Sequence, residues 1–288
     1  MAKPGNIPII DLMIGFKHLD VRAAYASLRD NTKDRESLEE FKFPAEYMFK
    51  DVPDGDLAGD PVDETLREMD KCGVEQGMVS VNDETGKRAV KDHPDRFFAT
   101  MSLKPHDGMR AVEQIVHVSE TVGLRAVDGM PAGCNPPLPV NDPGWFPIYA
   151  KCVELDIPIF LCMGVPGPRV PMAAQRVELL DEVCWLFPEL TIVTRHGCEP
   201  WTDLAVKLML KWPNLYYSTS AFAPKYYPRA IIDYANTRGA DKILYAGYYP
   251  MGLSLERIVR ELGALDLRDH VWPKFLRENA QRVLKLGA

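Results

Sequence analysis

The feature that most constrains the fold is a repeated alternation of short apolar runs with amphipathic helical runs. Eight runs read as strands: Pro8–Ile14, Gly77–Val81, Phe97–Leu103, Leu124–Gly129, Pro158–Gly164, Thr191–His196, Leu215–Ser220 and Ile243–Tyr248. Most are apolar or β-branched throughout, with little polar alternation. That is the pattern of strands covered on both faces, as in a parallel sheet.

The intervening segments carry helical spacing. Met109–Val122 places Ala111, Val112, Ile115, Val118 and Val122 on one stripe and is followed by Gly123, the residue type expected just past a helix end. Asp63–Cys72, Trp145–Leu155, Arg176–Phe187, Leu204–Trp212, Pro228–Thr237 and Leu255–Leu262 follow the same logic, and Trp272–Leu286 adds a C-terminal helix. Eight β-α units without a break in composition predict an α/β fold, a (β/α)8 TIM barrel spanning 1–288 as a single domain. A doubly wound open sheet is the alternative, but its nucleotide-binding versions lack support because no G-x-G-x-x-G or Walker string occurs.

Residues 18–61 interrupt the rhythm as an insertion after strand one. It holds the charged helix-like pieces Val21–Arg29 and Arg35–Phe41, and the apolar residues Phe41, Phe43, Tyr47, Met48 and Phe49. An insertion at this place lies on the face where barrel enzymes build their sites, and its aromatic density favours packing or subunit contact over a mobile lid.

Charge and cysteine usage narrow the partners. With 34 Lys+Arg against 41 Asp+Glu the net charge is −7, which speaks against a broad nucleic-acid-binding face. No apolar run reaches the roughly 18–20 residues of a membrane span, and the first residues lack the pattern of a signal peptide, so a cytoplasmic location is expected. The six cysteines, at 72, 134, 152, 162, 184 and 198, show no C-x-x-C spacing and no disulfide is expected; Cys72, Cys152 and Cys184 read as small core residues within helices.

The strand ends, where such a barrel places its reactive groups, read IIDLMIGF, IFLCMG, IVTRHGCEPW and ILYAGYYPMG. Together with REMDKCGVEQGMVSV, DHPDRFFATMSLKP, NDPGWFPIYAKCVELDIPIF and RENAQRVLKL, they run nearly end to end. On these strings the chain resembles the amidohydrolase-related family, in the branch of aminocarboxymuconate-semialdehyde decarboxylase, resorcylate decarboxylases, hydratases and lactone hydrolases. The resemblance implies a barrel with its site at the C-terminal face.

The residues that carry the family's chemistry depart from it. The resemblance implies an aspartate and two histidines on strand one. Asp11 stands, while Met13 and Gly15 hold the histidine positions. The strand-five histidine position falls on Cys162, the strand-six histidine is present as His196, and the strand-eight aspartate position falls on Tyr248. Zinc, manganese and iron(II) need several His, carboxylate or thiolate donors converging on one point, so no metal and no resident cofactor is expected in this chain. Cys162, His196, Cys198 and Glu199 could hold one zinc ion at a shifted position, against the stronger reading of packed cysteines in a turn.

Three readings follow. The first is a supporting subunit that keeps the barrel and works with a metal-bearing paralogue in a hetero-oligomer of decarboxylase, hydrolase or di-metal oxygenase type; a homo-oligomer is the other assembly considered. The second is a metal-independent hydrolase or lyase acting on a small carboxylate or lactone. In it His196 serves as acid/base, Cys162 as nucleophile or donor, Tyr248 as proton donor and Asp11 as orienter. The third is a small-molecule binding module. Met13, Met163, Arg169 and Tyr249 are the candidate ligand-binding residues. Against these stand plainer roles: His196 and the tyrosines as packing, Arg169 as a solvated side chain. Of Tyr216 and Tyr217 on strand seven, alternation allows only one to face inward.

Overall fold

The computed structural model describes Gly5 and residues 7–17, 26–29, 31–39, 45–49 and 59–287. Eight strands form one sheet in sequence order, every neighbouring pair parallel. They are β1 (Ile9–Asp11), β2 (Val74–Ser80), β3 (Phe97–Ser102), β4 (Leu124–Gly129), β5 (Ile159–Cys162), β6 (Ile192–Arg195), β7 (Leu215–Ser218) and β8 (Ile243–Leu244). The sheet curls until its ends meet. Leu12 N–H donates to Tyr245 O at 3.4 Å, Gly15 N–H to Tyr249 O at 2.9 Å, and Ile14 forms a parallel bridge with Tyr249. The architecture is the expected (β/α)8 barrel.

Helices connect the strands: α1 (Pro61–Cys72), α2 (Glu84–Asp92), α3 (Met109–Thr121), α4 (Phe146–Glu154), α5 (Leu180–Leu186), α6 (Thr202–Lys211), α7 (Arg229–Ala235) and α8 (Leu255–Leu262). The chain then closes with Val271–Pro273, a π turn over Lys274–Glu278 and a final helix, Asn279–Leu284. α1 shows why the chain breaks where it does. Asp60 accepts the Val62 N–H at 2.9 Å as N-cap, Pro61 occupies the first turn, and Gly73 ends the helix at φ 69°. The Asp60 cap therefore starts this helix two residues before the expected Asp63. Helix α2 was not among the expected elements. Its only apolar positions of any size are Ala89 and Val90, too few for a stripe, and the Asp83 cap on Gly86 N–H is what starts it.

Strand alternation sorts side chains into two cores. Inside the barrel lie Ile10, Met78, Phe98, Ala126, Phe160, Val193 and Leu244, with Tyr216 against them and Ala280, Val283 and Leu284 of the final helix closing one end. Outward-facing Ile9, Val79, Phe97, Val127, Ile159, Leu161, Ile192, Leu215, Tyr217 and Ile243 pack under the helices. Two residues further along each strand, the inward parity brings Thr100, Asp128, Cys162 and Arg195 toward the C-terminal mouth.

Of the insertion, residues 26–29, 31–39, 45–49 and 59–61 are described. Val21, Phe41 and Phe43 lie outside the described residues. Phe49 stacks on Tyr248 with ring centroids 5.6 Å apart, so this part of the insertion packs on the barrel, as the aromatic density suggests. Tyr47 and Met48, by contrast, are more than half exposed.

Candidate site at the barrel mouth

The polar groups that meet at the mouth come from β3, β4 and β6. Asp128, at the end of β4, accepts hydrogen bonds from the Thr100 hydroxyl at 3.1 Å and the Ser102 hydroxyl at 2.5 Å. It pairs with Arg195 Nη1 at 3.1 Å, and the Arg195 side chain is only 10% exposed. Arg195 Nη2 lies 3.0 Å from Met13 Sδ, a weak acceptor, and Arg195 Nε is buried with no hydrogen-bond partner. A charged guanidinium with an unused buried donor is an unusual thing to keep in a barrel interior, where each unmade hydrogen bond to a charged group costs on the order of 1–3 kcal/mol. Ser102 is exposed, and Met13, Gly15, Met130 and His196 are half-buried, so the cluster borders the surface.

His196 follows Arg195 in a left-handed conformation, φ 62°. Its Nδ1 is 3.1 Å from the Ser220 hydroxyl oxygen, which also accepts the His196 backbone N–H at 3.1 Å. Burial first, then the Arg195 charge, pull its pKa down to about 3 against the opposing Ser220 contact. At neutral pH the ring is therefore uncharged and a poor proton acceptor. Tyr248 stands edge-on to His196 at 5.6 Å and is stacked by Phe49 on its other side, which fixes it as a wedge between the insertion and β6.

The remaining sequence-expected residues are placed elsewhere or are chemically quiet. Cys162 faces the mouth, but burial pushes its thiol up to about 11, the Asp128 charge adding to the rise and Arg195 opposing it, so it is a neutral thiol and not a poised nucleophile. Met163 is fully buried in the outer core and lines nothing. Tyr249 is buried toward α1, near Glu64, Thr65 and Glu68, with its phenol raised to about 12, chiefly by burial. Arg169 neither binds at the mouth nor faces water alone. It pairs with Asp34 at 2.8 Å and Glu36 at 3.1 Å and lies 4.6 Å over the Tyr47 ring, tying the loop after β5 to the insertion. Tyr216 faces inward at the closed end, and Tyr217 is buried in the outer core, its hydroxyl donating to Gly197 O at 3.2 Å.

Asp11 has the outward parity and does not reach the Arg195 cluster. Its Oδ1 accepts the Gly247 N–H at 2.7 Å and the Met13 N–H at 2.9 Å, fastening β1 to the segment after β8. A Cβ at position 247 would sit 2.5 Å from Asp11 Oδ2, so the close approach requires glycine. The Tyr245 phenol approaches the Oδ2 side without reaching hydrogen-bond geometry. Burial raises Asp11 to about 7, against the lowering effect of these donors.

Cys162, His196, Cys198 and Glu199 do not converge. Among the described residues no three His, Cys, Asp or Glu side chains come together in a way that could hold a metal ion. Cys198 is fully buried with its thiol raised to about 12 by burial. The β5 and β6 loops nevertheless touch: a Cβ at Gly164, φ 88°, would lie 2.7 Å from Glu199 O. A separate cleft of about 450 Å3 lies outside the mouth, between α5 and the end of α6, lined by Asp181, Trp185 and Trp212 among others.

The Asp128–Arg195 cluster was missed in the sequence. Its signal was present: charged residues at the inward parity near the ends of β4 and β6, in LRAVDG and IVTRHG.

Comparison with known proteins bears on the fold and the family. The family model described as Amidohydrolase matches residues 73–286. Among solved structures, an uncharacterised TIM-barrel protein from Bordetella bronchiseptica superposes with a TM-score of 0.73 at 24% identity, covering 97% of this chain and 99% of that one. A 5-carboxyvanillate decarboxylase from Novosphingobium aromaticivorans, complexed with manganese and 4-hydroxy-3-methoxy-5-nitrobenzoic acid, gives 0.70 at 17% identity, covering 98% and 97%. A 4-oxalomesaconate hydratase from Rhodopseudomonas palustris gives 0.62 at 18% identity, covering 96% and 95%. No curated protein matches the sequence. At these identities the solved structures speak for the fold alone.

A divalent ion such as manganese does not fit the residues found here. Hard and borderline cations take carboxylate oxygen and imidazole nitrogen. The positions where the family resemblance implies ligands present instead a thioether already against a guanidinium, a glycine, a neutral buried thiol and a stacked phenol, while the Asp128 carboxylate is taken by Arg195, Thr100 and Ser102 and His196 has, among the described residues, no second and third ligand beside it. The fold and the family model over residues 73–286 together make the chain a member of the amidohydrolase family.

Proposed function

We propose that this chain is a supporting barrel that carries no metal of its own and works in a hetero-oligomer with a metal-bearing paralogue. The observation that carries this reading is the contact of Arg195 Nη2 with Met13 Sδ. Met13 stands where the family resemblance puts a histidine ligand, and the neighbouring space is held by a fixed cation that would repel a metal ion. Tyr248, at the strand-eight position, is clamped between Phe49 and His196 and is not free to ligate. The groups that a metal-independent mechanism would use are also unsuited to it, since His196 is held uncharged with a pKa of about 3 and Cys162 is held as a thiol. Solved members of the fold include a decarboxylase with manganese, which indicates the kind of chemistry a partner chain would supply.

The test is native mass spectrometry of the chain purified gently from its own host, with metal analysis of each component. A complex with a second barrel chain that holds the metal is the expected result. Stoichiometric metal in this chain, or metal-dependent turnover by the pure chain, would overturn the reading.

A further inference from the structure

The unused side of Arg195 is the feature that the supporting-subunit reading leaves unexplained. The guanidinium spends Nη1 on Asp128, at the opposite end from Nε. Nε and Nη2 form its other edge, two parallel N–H groups whose spacing matches the two oxygens of a carboxylate. Nε has no partner, and Nη2 has only a thioether. Asp128 is itself satisfied by the Thr100 and Ser102 hydroxyls, so Arg195 is held in place whether or not its second edge is filled.

We propose that this edge is a binding site for a small organic carboxylate, with Arg195 taking the charge-recognition role at the barrel mouth. The ligand reaches the edge by displacing the Met13 side chain. Met13 is half-buried, and three rotatable side-chain bonds let its thioether swing aside. Replacing a thioether–guanidinium contact with two charge-assisted hydrogen bonds favours the exchange. The exposed Ser102 and half-buried His196 mark the approach. The inference rests on the reading of a metal-free mouth, because a metal ion there would itself recognise the carboxylate.

Isothermal titration of the full chain with benzoate, and with benzamide as the neutral near-isostere, tests the site. Benzoate is expected to bind at least about tenfold more tightly than benzamide, the size expected for hydrogen bonds to a charged group. Arg195→Lys keeps the charge and loses the paired edge, and should weaken benzoate severalfold. Met13→Ala removes the competing side chain and should tighten it. Because Arg195→Met alone leaves Asp128 unpaired, the loss-of-site variant is Arg195→Met with Asp128→Leu, which should stay folded by its melting curve and lose benzoate. Equal binding of benzoate and benzamide, no binding even to Met13→Ala, or full binding by the double variant would each overturn the site. Metal content is measured on the same sample. Bound metal would sink the supporting-subunit reading as well, whereas a metal-free chain that ignores benzoate would sink only this one.

Discussion

Arg195 Nη2 and Met13 Sδ, 182 residues apart in the chain, meet at 3.0 Å inside the barrel mouth. The contact couples β6 to the segment after β1 and puts a permanent organic cation beside a position where the family resemblance implies a metal ligand. Changing one residue therefore cannot rebuild a metal centre. Met13→His with Gly15→His should still bind manganese substoichiometrically after loading and desalting. Adding Arg195→Ala should raise the bound fraction, since it removes the repelling charge. Stoichiometric metal in the double variant, read by elemental analysis, would show that the guanidinium is no obstacle.

The Asp128–Arg195 pair is nearly enclosed, with both side chains about 10% exposed or less. Removing one partner strands the other charge. Asp128→Ala should cost about 3–5 kcal/mol in urea unfolding. Asp128→Leu with Arg195→Met should cost much less, since the apolar pair leaves no uncompensated charge. Equal losses in the two variants would mean that packing, and not charge, sets the effect.

Asp11 and His196 bend the pH dependence of stability in opposite directions. Asp11 is raised from its ordinary value to about 7. The folded chain therefore holds a proton that the unfolded chain has lost, and stability falls as pH rises from about 4 through 7. His196 is lowered to about 3, so the unfolded chain binds the extra proton and stability rises with pH between about 3 and 6.5. The two slopes offset each other in wild type. Asp11→Asn, which keeps the Oδ1 acceptor for Gly247 and Met13, should become steadily more stable from pH 4 to 6.5, and His196→Gln should become less stable over that range. Parallel profiles for both variants in chemical denaturation would refute the assignment.

None of the six cysteines is in a disulfide, and five of them are buried. Cys72 alone is half-buried. Under native conditions at neutral pH, a thiol-reactive disulfide reagent should titrate at most one thiol quickly, with all six appearing after unfolding in guanidinium. Rapid native labelling of Cys162, located by peptide mapping, would contradict the neutral buried thiol described above.

Arg169 holds Asp34, Glu36 and the Tyr47 ring from the loop after β5. These are surface contacts, and their loss should move the melting temperature little. Arg169→Ala should instead speed limited proteolysis within residues 26–49. An unchanged cleavage rate would mean that Phe49 on Tyr248 is the anchor that matters.

The barrel was legible because its cause is local. Runs such as Ile159–Cys162 are apolar on both faces, and only a parallel sheet wrapped in helices buries such runs completely. The residues at the positions where the family resemblance implies ligands were equally plain, since a methionine or a glycine is identified without coordinates. What the sequence could not decide was direction and neighbourhood. Asp11 looked like a site residue by its place in the string, but strand parity turns it outward to fasten the barrel seam. Tyr249 and Met163, each adjacent in sequence to a residue of the mouth, are carried by the same alternation into the outer core. Arg169 looked solitary because its partners lie some 130 residues earlier in the chain. The Asp128–Arg195–Met13 cluster draws on three separated segments, and only closure of the barrel makes a carboxylate, a guanidinium and a thioether neighbours.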